Sequence, residues 1–248
     1  MDFADFDADR RQVIESCAQL SINKLVVPGT QANSWLKLLQ LSEQYTALKP
    51  ALGLHPYFLQ QFNDSDFALL AQLLARYSDK ITAVGEIGLD YALDISHDIQ
   101  MMVFSKQLSI ATEFGLPVIL HHRRSHNDLI KTLKQQRYEW GGIVHAFSGS
   151  LYEANTYIEL GFKLGIGGVI TYPRARKTRE VVSQLPLSAL VLETDSPDMP
   201  PQGKQGLRNN PQNLLLILDE LCLLRQESRE DIIVQCQQNV VAALRNMN

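Results

Sequence analysis

The 248-residue chain is poor in cysteine, in histidine and in unbroken apolar sequence, and each shortage removes a class of protein. Its three cysteines (Cys17, Cys222, Cys236) are odd in number and widely spaced. That excludes a disulfide-built secreted scaffold and reads as reduced thiols in a cytoplasmic protein. No apolar run reaches the roughly 18–20 residues of a membrane span, so no membrane partner is expected. The opening stretch, MDFADFDADRR, lacks the apolar segment of a secretory signal. Positive charge is not in excess either. A net charge of −4 argues against coating nucleic acid by bulk charge, though it leaves room for a local basic groove.

What is present is enough for a folded core: 45% hydrophobic and 20% charged residues exclude disorder. The length suits one domain over residues 1–248, since barrels of alternating strands and helices run to about 250 residues. The patterning predicts a helix over Ala8–Leu20, with Asp7 as its N-cap. Seven strand-like runs follow: Lys24–Thr30, Ala47–Pro56, Ile81–Asp90, Leu116–His122, Gly142–Ser148, Phe162–Gly168 and Ala189–Thr194. Helical spacing follows each of them, over Ala32–Gln44, Ser65–Tyr77, Ile99–Phe114, Ser125–Gln136, Leu151–Leu160 and Arg179–Leu185, then Pro211–Arg225 and Asp231–Leu244. Strict alternation with apolar strands predicts an α/β fold with a buried parallel sheet. Seven units fit either an open doubly wound sheet or a barrel, which normally has eight strands.

Five strand ends carry an ionisable group: His55, Glu86, His121, His145 and Asp195. One histidine at a strand end reads as a hydrogen-bonded core residue. Five groups on one face of a parallel sheet read differently, because imidazoles and carboxylates together are a divalent-metal ligand set. A metal would also explain Glu86, a charge placed where a buried strand surfaces. His122 alternates to the opposite face and reads as packing or as support behind the ligands. His97 and His126, at helix starts, read as solvated. Basic residues follow two of the strands: Arg123 and Arg124, then Arg174, Arg176, Lys177 and Arg179. Arg123 is the preferred substrate contact; Arg176, Lys177 and Arg179 read equally well as a solvated helix surface. Gly165, Gly167 and Gly168 lie where barrels often bind phosphate. A flavin or sugar-phosphate barrel built on those glycines leaves Glu86, His121, His145 and Asp195 without a joint role.

The wording GEIGLD (Gly85–Asp90), VILHHRRSH (Val118–His126), VHAFSGS (Val144–Ser150) and LETDSPDMP (Leu192–Pro200), with GLHP (Gly53–Pro56) and YPRARKTR (Tyr172–Arg179), resembles the TatD-type metal-dependent deoxyribonucleases, in particular their YjjV-like subgroup. The resemblance runs through the whole chain in order. It implies a TIM-type (β/α)8 barrel of the metal-dependent hydrolase kind, holding one or two divalent ions such as zinc, manganese or magnesium. It further implies exonuclease-like cleavage of phosphodiesters. Glu86, His121, His145 and Asp195 would be metal ligands, with Glu86 and Asp195 catalytic and Asp195 taking the proton of the attacking water. From residue chemistry rather than the resemblance, Arg123 and Arg174 suit phosphate oxygens and His55 suits either a phosphate or the positioning of a nearby ligand. His55, Arg123 and Arg174 are therefore the expected substrate contacts. The expected partner is DNA, single-stranded or at an end, or a small phosphoester, acted on by a monomer.

The resemblance also implies a first strand bearing His-x-His and an aspartate. Asp2 fits the aspartate, and the histidine pair is absent from this chain. The expectation is therefore a barrel short of its first strand, with weakened metal binding, whose missing residues lie upstream. Three functions stay open on the sequence: a metal-dependent nuclease, a metal hydrolase of another small phosphoester, amide or lactone, and a metal-deficient non-catalytic form.

Overall fold

The computed structural model describes residues 1–247. Seven strands form one parallel sheet: β1 (Leu25–Gly29), β2 (Leu48–Leu52), β3 (Val84–Asp90), β4 (Val118–Arg123), β5 (Gly142–Val144), β6 (Phe162–Ile166) and β7 (Leu190–Leu192). Helix α1 (Arg10–Gln19) precedes the sheet. Helices α2 (Ala32–Gln44), α3 (Ser65–Arg76), α4 (His97–Glu113), α5 (His126–Gln135), α6 (Leu151–Glu159) and α7 (Arg176–Gln184) connect its strands. Helices α8 (Leu214–Leu224) and α9 (Arg229–Ala243) close the chain. Spatial order equals sequence order throughout. A doubly wound sheet reverses its strand order at a switch point, and this one never does; it winds as a (β/α) barrel. Among the described residues β1 pairs only with β2 and β7 only with β6, so the sheet is open between its first and last strands. No helix is long and apolar enough to cross a membrane among the described residues.

Period-two alternation along each strand sorts the apolar residues into two layers. Leu52, Val84, Val118, Leu120, Val144 and Leu190 pack towards the helices, with Trp35, Leu70, Phe104 and Tyr157. Ala51, Ala83, Ile119, Ile143 and Val191 face the other way and pack with Ala243, Leu244 and Met247 from the end of the chain. The Arg245 N–H donates to Thr82 O and Asn246 Nδ2 donates to Ile81 O. The chain's last residues thus close the N-terminal end of the sheet and leave the C-terminal end to chemistry.

Several boundaries differ from the sequence-based expectation, each for a local reason. β2 stops at Leu52, and His55 instead caps the 3-10 turn Pro56–Gln61. β5 stops at Val144 because Ala146 turns into the left-handed region (φ 46°), and β7 stops at Leu192 before Asp195 (φ 58°). Asp7 does not cap α1; its carboxylate accepts from Arg10 and Lys37, and the helix begins after a 3-10 turn at Ala4–Phe6. Helix α7 starts three residues earlier than its spacing suggests, at Arg176.

Candidate metal and active site

The strand ends converge as the parallel winding requires. Glu86 lies in β3 where the ladder slips between Val84 and Ile87, and such a bulge re-aims the side chains beside it. Its neighbours come close: a methyl group on Gly85 would meet Ile119 Cβ at 2.6 Å, and one on Gly53 would meet Glu86 O at 2.7 Å. Glycine at both positions is what lets the strands approach around this carboxylate. Glu86 Oε1 lies 3.1 Å from His121 Nδ1, 3.5 Å from His55 Nε2 and 3.9 Å from His145 Nε2. Asp195 Oδ1 lies 3.3 Å from His145 Nε2. All five residues line one cavity of about 690 Å³, which continues down between β1 and β7 past Leu25, Val26 and Val191.

Each histidine has a different partner on its second nitrogen, and this separates their chemistry. His145 Nδ1 is 2.9 Å from Glu193 Oε2. A carboxylate can only accept, so the neutral ring carries its proton on Nδ1 and turns the Nε2 lone pair towards Glu86 and Asp195. His121 Nε2 is 3.2 Å from Asp90 Oδ2, which leaves Nδ1 free to face Glu86 in the same way. His55 is the reverse case. Its Nδ1 accepts the backbone N–H of Tyr57 at 3.0 Å, so the proton sits on Nε2 and points at Glu86. One ligand atom from each of His55, Glu86 and His121 falls within 4.8 Å of the others, close enough for a metal. In that tautomer His55 is a donor, whereas His121 and His145 each offer a lone pair.

Charge follows the same geometry. Burial alone would raise the Glu86 carboxyl, but His145, His121 and His55 hold it well below its ordinary range. Burial would lower the His145 imidazole, and Glu193, Glu86 and Asp195 together hold it well above the ordinary value. His121 is burdened by burial in the same sense and raised by Asp90 and Glu86. A divalent cation would take the place of the protons that these two imidazoles retain beside the carboxylates. Two lone-pair nitrogens and two carboxylates form a donor set that fits such an ion.

The remaining expected residues fall elsewhere. Arg123, the last residue of β4, is on the rim, its side chain 62% exposed and its Nη1 3.9 Å from Asp90 Oδ2. Arg174 stacks its guanidinium over the Tyr172 ring at 5.0 Å, outside the cavity lining. Arg179 donates to Ile170 O and Glu220, which ties α7 to α8. His97 is exposed and stacks on Tyr91 at 3.9 Å. His122 packs outward against His126 and Phe147, and burial pushes it down to about 3. His126 is half-buried, with Nδ1 3.2 Å from the Tyr157 hydroxyl, rather than solvated. The glycines are not a phosphate cradle: the Glu193 carboxylate fills the space beside Gly165 and Gly167, and Met199 O that beside Gly168.

Sequence reading missed Asp90 and Glu193, the two carboxylates behind the histidines. A signal was available: Asp90 is four residues after Glu86 and Glu193 two before Asp195, spacings that share a face in extended chain.

Comparison with known proteins places the chain among relatives. The family model described as TatD-related DNase matches residues 1–245. An uncharacterized metal-dependent hydrolase of Escherichia coli, YjjV, is 44% identical over 93% of this chain and 90% of its own length. The 3'-5' ssDNA/RNA exonuclease TatD of Erwinia amylovora is 29% identical over 96% of this chain and 94% of its own. The crystal structure of E. coli YjjV, a TatD homolog, superposes with a TM-score of 0.92 at 42% identity, covering 98% of this chain and 94% of that one. With its winding order, its strand-end carboxylates and histidines, and these matches along nearly its full length, the chain belongs to the TatD-related DNase family.

Proposed function

We propose that the chain is a divalent-metal-dependent phosphodiesterase that trims single-stranded nucleic acid from an end. The observation that carries this is Glu86 standing between His121 Nδ1 and His145 Nε2, each imidazole backed by its own carboxylate. Glu86, His121, His145 and Asp195 would hold the ion. Bound there, it would supply a Lewis acid for the phosphoryl oxygen and lower the pKa of water from 15.7 towards about 7.

The protein's own groups divide the remaining work. Asp195 is the base that takes the proton of the attacking water. The Nε2–H of His55 donates to a phosphate oxygen, and Arg123 adds a guanidinium at the rim. Arg174 meets the strand farther out. Three free cysteines suit a reducing, cytoplasmic setting. The exonuclease name of the Erwinia relative supports the choice of substrate.

The test strips the protein with a chelator, restores Mn²⁺, and follows a uniformly labelled single-stranded oligonucleotide. Stepwise release of mononucleotides only in the restored sample is expected. Hydrolysis of small phosphoesters with none of oligonucleotides would assign the small-substrate reading instead, and hydrolysis of neither with any ion would overturn both.

His55 gives a sharper prediction. As a donor to substrate it contributes one charge-assisted hydrogen bond, worth about 1.5–3 kcal/mol. His55→Ala should therefore lower kcat/KM roughly 10- to 100-fold while Mn²⁺ affinity stays close to that of the parent. A parallel collapse of Mn²⁺ affinity would make His55 a ligand.

A further inference from the structure

We propose that Glu193 is the positioning residue of His145, and that position 165 is glycine so that Glu193 can reach it. This rests on the reading of His145 as a metal ligand.

Glu193 follows β7, and His145 follows β5; β6 lies between them. The Glu193 side chain crosses over β6 to bring Oε2 within 2.9 Å of His145 Nδ1 and Oε1 within 2.7 Å of the Ala146 N–H. It crosses at Gly165, which pairs with Val191 in the β6–β7 ladder. A methyl group on Gly165 would overlap Glu193 Oε2, and one on Gly167, two residues on and on the same face, would sit 3.3 Å from Oε1. Neither glycine has a positive φ, so backbone freedom is not the reason for either. Space for the carboxylate is.

Both bonds matter to the site. The first fixes the His145 tautomer that leaves Nε2 a lone pair, and the second holds Ala146 in its left-handed backbone (φ 46°), a conformation costly for a residue with a Cβ. Together they set the direction of the His145 ring. A glutamine at 193 has the same shape but only one acceptor for two donors. When its amide faces His145, the tautomer reverses and Nε2 becomes a donor.

The experiment measures binding of Mn²⁺ alone, from the free-ion electron paramagnetic resonance signal, to the full chain and four variants. Glu193→Gln is expected to weaken binding about 10- to 100-fold while the metal-free protein keeps a single cooperative melting transition. Gly165→Ala is expected to weaken it in the same range in the parent and to change nothing further in a Glu193→Ala background, because the group it displaces is gone. A Glu193→Gln affinity within about twofold of the parent, or an equal Gly165→Ala loss in both backgrounds, would overturn the proposal. A parent chain that binds no Mn²⁺ would instead sink the ligand assignment of His145 beneath it. Glu193→Gln preserves volume, so its result stands even if Gly165→Ala does not fold.

Discussion

Glu86→Gln is expected to lose tight divalent-ion binding and, with it, almost all hydrolytic activity. Its Oε1 lies within 3.9 Å of all three site imidazoles, and its side chain is only 8% exposed. Removing one partner of a buried charge pair costs about 3–5 kcal/mol, which is roughly a 10²- to 10⁴-fold loss of ion affinity. The metal-free protein should respond in the opposite pH sense to the loaded one. His121 and His145 have raised pKa values in the fold. Their contribution to stability is complete below the ordinary histidine value of 6.5 and is lost as pH rises through the raised folded values. Glu86 is lowered, so its share is present above its ordinary 4.5 and disappears only as pH falls through the depressed value. Stripped parent protein should therefore melt lower as pH climbs past 6.5. The same climb should tighten ion binding, because the cation displaces those protons. In Glu86→Gln, His121 keeps Asp90 and His145 keeps Glu193 and Asp195, so the stabilisation at mildly acid pH should shrink without vanishing. Melting curves between about pH 5 and 9, with and without chelator, read both effects. A glutamine variant that retains parental metal content would refute the central role of Glu86.

Much of this was legible in the chain because the strands are buried on both faces. A run such as Val118–Leu120 is apolar without interruption, and the first charge it meets, at His121, marks where the strand leaves the core. Parallel winding then does the rest, bringing Glu86, His121, His145 and Asp195 to one end without any information about distance. Three things could not be read that way. Glu193 and Asp90 were hidden beside stronger signals, Asp195 and Glu86, and their task depends on which ring nitrogen they touch. The early ends of β5 and β7 follow from left-handed backbone at Ala146 and Asp195, and side-chain pattern does not encode that. Gly165 looked like a ligand-binding glycine because its spacing allows it. Only the path of Glu193 over β6 shows that the space is already taken by the protein. The expectation of seven strands holds, and the sheet is open between β1 and β7.

Asp195→Asn should separate chemistry from binding. Asp195 differs from Glu86 in its surroundings: its side chain is 34% exposed, against 8% for Glu86, so water reaches it. It touches the site at one point, 3.3 Å from His145 Nε2, whereas Glu86 lies among three imidazoles. Its backbone sits in the left-handed region (φ 58°), which asparagine and aspartate tolerate better than other side chains. The substitution therefore keeps shape and backbone, and the variant should stay folded. What it removes is a base, since an amide does not take a proton from water at neutral pH. The expected loss is roughly 10²- to 10⁴-fold in kcat, with kcat/KM falling in step because the missing interaction belongs to the transition state. Ion affinity should drop far less than in Glu86→Gln, so saturating Mn²⁺ should restore occupancy without restoring rate. Single-turnover cleavage of a labelled oligonucleotide at saturating Mn²⁺ isolates the chemical step. If rate returns with occupancy, Asp195 is a ligand only and the base lies elsewhere; if rate stays low at full occupancy, the proton goes to Asp195.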